Sequence, residues 1–102
     1  MPGFVKVTKL SGLKENVPSG FEINKVKFLL VKLNGKVYAM NSVCTHAGGP
    51  LEKGTCENGN ILCPWHKSEF KVTDGSVARG PAIKPEQTYK VNVVGDDVLV
   101  EL

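Results

Sequence analysis

A chain of 102 residues has the length of one domain. With 41% hydrophobic and 23% charged residues it has the composition of a soluble globular protein, and its longest apolar run, Phe28-Leu29-Leu30-Val31, is far too short to span a bilayer. The net charge of +3 comes from twelve Lys and one Arg, scattered without interleaved aromatics, which argues against nucleic acid and is compatible with an acidic protein partner.

The elements read, in chain order, as short strands. Val5 and Val7 alternate with Lys6 and Thr8, the pattern of a half-buried strand. Pro18-Ser19-Gly20 marks a turn. Strands over Val26–Leu33 and Lys36–Asn41 flank Asn34-Gly35, a strong hairpin signal because both turn residues tolerate positive φ. From Asn41 to Pro85 the chain is dense in Gly and Pro, leaving room only for short strands at Asn60–Leu62 and Glu69–Val72. Near the C-terminus Tyr89, Val91 and Val93 alternate with Lys90 and Asn92. Gly95-Asp96-Asp97 forms a loop, and Val98, Val100 and Leu102 share one face. No segment carries an amphipathic helix of ten or more residues. The expected architecture is all-β: an antiparallel β-sandwich or partial barrel spanning 1–102 as a single domain, with an inserted loop-rich subdomain over about 42–83. That middle segment has too little apolar surface to hold itself together, so a bound metal centre is expected there.

The donors for such a centre are two Cys–His pairs, Cys44-Thr45-His46 and Cys63-Pro64-Trp65-His66. Residues i and i+2 of an extended or turning backbone project to one side, and Pro64 suits a tight turn between Cys63 and His66. Gly48 and Gly49 follow the first pair, where the absence of Cβ permits close approach and inward-facing N–H groups. Cys56 makes the thiol count odd, against a disulfide framework, and is expected to be a packing residue in a short strand. Two Cys and two His are also a structural zinc set, although zinc sites usually pair Cys with Cys and His with His. No hydrolase or phosphate-binding motif is present.

Cys44-Thr45-His46-Ala47-Gly48-Gly49-Pro50-Leu51 and Cys63-Pro64-Trp65-His66-Lys67-Ser68-Glu69-Phe70 resemble the two cluster-binding boxes of Rieske proteins, and Gly80-Pro81-Ala82 resembles their proline-containing covering loop. The resemblance implies one [2Fe–2S] cluster, with Cys44 and Cys63 on the inner iron and His46 and His66 on the outer one. It places Ser68, Trp65, Lys67, Gly48, Gly49 and Pro81 around the cluster. Trp65 is expected to pack beside it and exclude water, Ser68 to donate to a cluster sulfur, Pro81 to close the cover, and Leu51 and Phe70 to pack beneath the loops. Neutral imidazole stabilises ferric iron less than thiolate does, so the transferred electron is expected on the His-bound iron. Deprotonation of a His in the oxidised state would then lower the potential by about 59 mV per pH unit.

Respiratory Rieske proteins carry two further Cys that form a disulfide between the boxes; Gly49 and Trp65 stand at those positions here. They also carry a Tyr where this chain has Phe70. The resemblance is therefore to the ferredoxins that feed oxygenases, with a potential in the lower half of the broad Rieske range of about −150 to +300 mV. The implied function is a one-electron carrier, not itself an enzyme. It would be cytoplasmic, since Met1-Pro2-Gly3-Phe4 opens no secretory leader. A reductase would be the donor and an oxygenase or other redox protein the acceptor, docking near His46 and His66. The alternatives are the Rieske-like small subunit of a larger redox enzyme such as a nitrite reductase, and a structural zinc module.

Overall fold

Four consecutive apolar residues, Phe28 to Val31, form the spine of the structure because their strand is covered on both faces. A computed structural model describes residues 3–45, 48–65, 67–80 and 84–102. His46, His66 and Pro81 lie outside the described residues.

Eleven strands are present among the described residues: β1 Phe4–Lys9, β2 Ser19–Ile23, β3 Val26–Leu33, β4 Lys36–Asn41, β5 Thr55–Glu57, β6 Asn60–Leu62, β7 Glu69–Lys71, β8 Val77–Arg79, β9 Thr88–Tyr89, β10 Val91–Val94 and β11 Asp97–Glu101. They form three antiparallel sheets with strand orders β1-β11-β10, β2-β3-β4-β9 and β5-β6-β7-β8. The helical content of the described residues is two single 3-10 turns, Leu10–Gly12 and Leu51–Lys53. No helix among them is long and apolar enough to cross a membrane.

The β2-β3-β4-β9 sheet lies in the middle. Phe28 and Leu30 of β3 point to one side and pack with Leu13, Val37, Ala39, Val98 and Val100. Leu29 and Val31 point to the other and pack with Met40, Leu51, Ile61, Phe70, Val72, Cys44 and Cys63. Successive strand residues alternate faces, so a strand buried on both sides loses the polar alternation of a surface strand. The β3–β4 hairpin turns at Asn34 and Gly35, with φ of 51° and 81°. Both values are positive, as the Asn-Gly pair predicts.

Four expectations change. Ser19 and Gly20 belong to β2 rather than a turn, paired with Leu30 and Leu29. A Cβ on Gly20 would lie 2.7 Å from Glu52 Cγ, so this strand glycine makes room for the Glu52 stem. The alternation from Tyr89 to Val93 is interrupted at Lys90: β9 pairs with β4 and β10 pairs with β11, so the chain changes sheets there. Asp97 opens β11 rather than lying in the loop, and β7 stops at Lys71, one residue short of the expected end.

Candidate metal centre

The two cluster-box segments form the tips of two antiparallel hairpins. The first is closed by the Val43–Pro50 bridge, with Leu51 N–H donating to Ser42 O at 2.7 Å. The second joins β6 to β7, closed by the Leu62–Glu69 pair. Each tip encloses six residues, 44–49 and 63–68, and each begins with Cys.

Their backbones are wired alike. Cys44 N–H donates to Gly49 O at 2.9 Å, and Gly48 N–H donates to Cys44 O at 2.9 Å. Cys63 N–H donates to Ser68 O at 2.8 Å, and Lys67 N–H donates to Cys63 O at 3.0 Å. The fifth residue of each tip has positive φ, 75° at Gly48 and 61° at Lys67. In both cases the first residue's N–H and C=O are satisfied within the tip, which leaves the Cys side chain directed by a closed ring of backbone bonds. The Gly48 N–H is thereby engaged with Cys44 O, so the expectation that it faces inward for a cluster does not hold for that donor.

The tips meet through their cysteines. Cys44 is 3% exposed and Cys63 1%, and both belong to the apolar cluster beneath the loops that also holds Leu51 and Phe70. The packing expected of Leu51 and Phe70 is therefore observed. A Cβ on Gly49 would lie 2.8 Å from Cys63 Sγ and 3.2 Å from Trp65 Cγ. Gly49 and Trp65, which replace the two disulfide-forming Cys of respiratory proteins, thus stand next to each other. No disulfide involves Cys44, Cys56 or Cys63. Two buried sulfurs at matching positions of two tips, with a Cβ-free contact between the tips, form a donor set that fits an iron–sulfur group. Among the described residues no three His, Cys, Asp or Glu converge as a metal site, and the sulfurs are the donors described.

Other residues fall as follows. Ser68 is fully buried and its carbonyl holds Cys63 N–H. Trp65 is 57% exposed: one edge approaches Gly49 while the rest of the ring faces solvent. Pro64 and Lys67 beside it are exposed. Cys56 lies half-buried on β5 against the same apolar cluster, and burial, with a smaller contribution from Glu15, pushes its thiol up. That keeps it a neutral packing group.

Sequence reasoning missed Glu86. A Glu after Pro85 in a polar stretch reads as a solvated charge, yet Glu86 is only 4% exposed. Its Oε2 accepts Thr45 N–H at 2.8 Å, on the peptide that joins Cys44 to Thr45. Burial pushes its carboxyl up to about 7, against the opposing pull of the Thr45 N–H. No sequence signal marks this; the burial arises from tertiary packing alone.

Comparison with known proteins is consistent with this geometry. Residues 3–95 match the Rieske [2Fe-2S] domain. Human apoptosis-inducing factor 3 is 34% identical over 78% of this chain, which spans only 13% of that protein. The ferredoxin component of biphenyl 2,3-dioxygenase from Rhodococcus jostii is 34% identical, covering 80% of this chain and 77% of the relative. The solved ferredoxin of carbazole 1,9a-dioxygenase from Nocardioides aromaticivorans superposes with a TM-score of 0.92 at 32% identity, covering 95% of each chain. With the family profile covering nearly all of the sequence and the paired tips in place, the chain belongs to the Rieske [2Fe-2S] domain family.

Proposed function

We propose that this chain is a Rieske-type ferredoxin that moves single electrons from a reductase to an oxygenase or similar acceptor, and does no substrate chemistry itself. Residues 1–102 act as one domain, with the site in the 42–83 subdomain, and the protein works in the cytoplasm. Cys44, Cys63, His46 and His66 hold the [2Fe–2S] group, which supplies a one-electron redox couple when bound. The observation that carries this reading is the pair of matched six-residue tips that bury Cys44 and Cys63 in one apolar cluster with Gly49 against the Cys63 sulfur. The likeness over 80% and 95% of the chain to ferredoxins of dioxygenase systems supports a carrier rather than an enzyme.

The chain's own residues set the conditions for transfer. Leu51, Ile61 and Phe70, all fully buried, form an apolar floor that keeps water from the inner side of the sulfurs. Pro64, Trp65 and Lys67 present an exposed apolar and basic rim on the second tip. Such a rim suits a transient contact with an acidic redox partner near His66.

The test is anaerobic reconstitution with iron and sulfide, followed by metal analysis and EPR of the dithionite-reduced protein. The expected result is about two irons and two labile sulfides per chain with a mixed nitrogen–sulfur signature, lost in both His46→Ala and His66→Ala. A colourless zinc-loaded protein, or a signature that survives either substitution, overturns the reading.

A further inference from the structure

Among the described residues Glu86 is the only buried carboxylate, and no Lys or Arg shares its burial. Three contacts lock it. Oε2 accepts Thr45 N–H at 2.8 Å, and the Thr45 hydroxyl donates to Lys84 O at 2.7 Å, so one residue of the first tip is tied twice to the 84–86 segment. Glu86 N–H donates to Gly75 O at 2.8 Å. A Cβ on Gly75 would fall 2.2 Å from Glu86 O, so the two backbones are in direct contact and no side chain fits between them.

The second carboxylate oxygen, Oε1, is buried with no hydrogen-bond partner among the described residues. A buried acceptor left unsatisfied is unfavourable, and an apolar side chain would fill the space without that penalty. The carboxylate's one described bond goes to the Cys44–Thr45 peptide, directly after the first sulfur donor. At the matching place of the second tip stands Pro64, which has no N–H to donate.

We propose that Glu86 is a positioning residue for the first cluster tip, fixing the Cys44–Thr45 peptide, and with it the Cys44 donor, against a segment anchored on Gly75. The proposal rests on Cys44 being a ligand, as argued above. What matters is the acceptor oxygen at the right reach, not the charge.

Two substitutions separate those properties. Glu86→Gln keeps a carbonyl acceptor at the same reach and removes the charge. Glu86→Asp keeps the charge and shortens the side chain by one carbon. The reconstituted holoproteins are compared by the g-anisotropy of the reduced EPR spectrum and by the rate of iron release to a chelator, with circular dichroism confirming the fold. Glu86→Gln is expected to match the wild type in both. Glu86→Asp is expected to shift the spectrum and release iron about tenfold faster, a factor at the upper end of what one lost neutral hydrogen bond accounts for. Thr45→Val, which loses only the hydroxyl bond to Lys84, is expected to fall between them. A wild-type Glu86→Asp, or a Glu86→Gln as altered as Glu86→Asp, overturns the proposal. A wild-type protein with no mixed-ligand spectrum fails the ligand reading instead, and the two failures are distinguishable.

Discussion

The two hairpin tips share one backbone design and differ in side chains. Both begin with a buried Cys whose N–H bonds the carbonyl of the sixth residue, and both need positive φ at the fifth. The first tip meets these demands with Gly48-Gly49, the second with Lys67-Ser68. The difference separates two constraints that a glycine pair conflates. At the fifth position the constraint is conformational, and Lys tolerates it at some cost. At the sixth position of the first tip it is steric, because Gly49 lies against the sulfur of the other tip.

Gly49→Ala is expected to have the largest effect. Its Cβ would press to 2.8 Å from Cys63 Sγ and 3.2 Å from Trp65, so the Cys63 sulfur must move. Overpacking of this kind costs about 1–3 kcal/mol, and reconstituted iron content should drop well below that of the wild type. Gly48→Ala meets nothing within 4 Å but sits at φ 75°. It should lose about 1 kcal/mol of stability while keeping its iron. Iron analysis and thermal melts of both variants check the contrast; equal iron loss in the two would merge the constraints again.

The buried carboxyl behind the first tip gives the next effect, and it has a sign. Glu86 rises from 4.5 to about 7 on folding because burial disfavours its charged form. A raised folded value means that the stability it confers is complete below 4.5 and is lost as pH climbs through 7. Wild-type stability should therefore fall across that window relative to Glu86→Gln, which does not titrate. Each unit of separation is worth about 1.4 kcal/mol, and 1 kcal/mol moves the melting temperature of a domain this size by about 4–8 °C. The gap between variant and wild type should widen from pH 5 to pH 8 by several degrees on that scale. A gap independent of pH would mean that the carboxyl does not titrate in this range.

What could be read in the sequence was whatever local chemistry dictates. Asn34-Gly35 announced the β3–β4 hairpin because positive φ is demanded at both residues. The two Cys–His pairs announced the tips. Gly20 misled because glycine usually breaks a strand, whereas here it clears space for Glu52, thirty-two positions away in the sequence. Lys90 sits inside a regular alternation that hides a change of sheet. Trp65 reads as a filler of the space that a disulfide takes elsewhere, and its edge does lie against Gly49, while the exposure of more than half of the residue follows from how its tip projects and is marked by no local pattern. Glu86 was invisible because its burial is created by Gly75 and Thr45, which only tertiary structure brings to it.

The smallest effect tests the conformational half of the contrast on the second tip. Lys67 holds φ 61° without a glycine and lies exposed, so its side chain contributes little packing that a substitution could remove. A left-handed residue with a Cβ costs about 1–2 kcal/mol, while glycine's greater freedom in the unfolded chain takes back about 0.4–1 kcal/mol. Lys67→Gly should therefore stabilise the holoprotein by up to about 1 kcal/mol, a rise of a few degrees in the melting temperature, with iron content and EPR signature unchanged. The same substitution removes one positive charge from the rim beside Trp65. If that rim meets an acidic partner, electron transfer to it should slow and lose part of its salt dependence while the protein itself becomes more stable. A variant that melts lower than the wild type would show that the Lys67 side chain contributes more to the tip than its backbone angle costs.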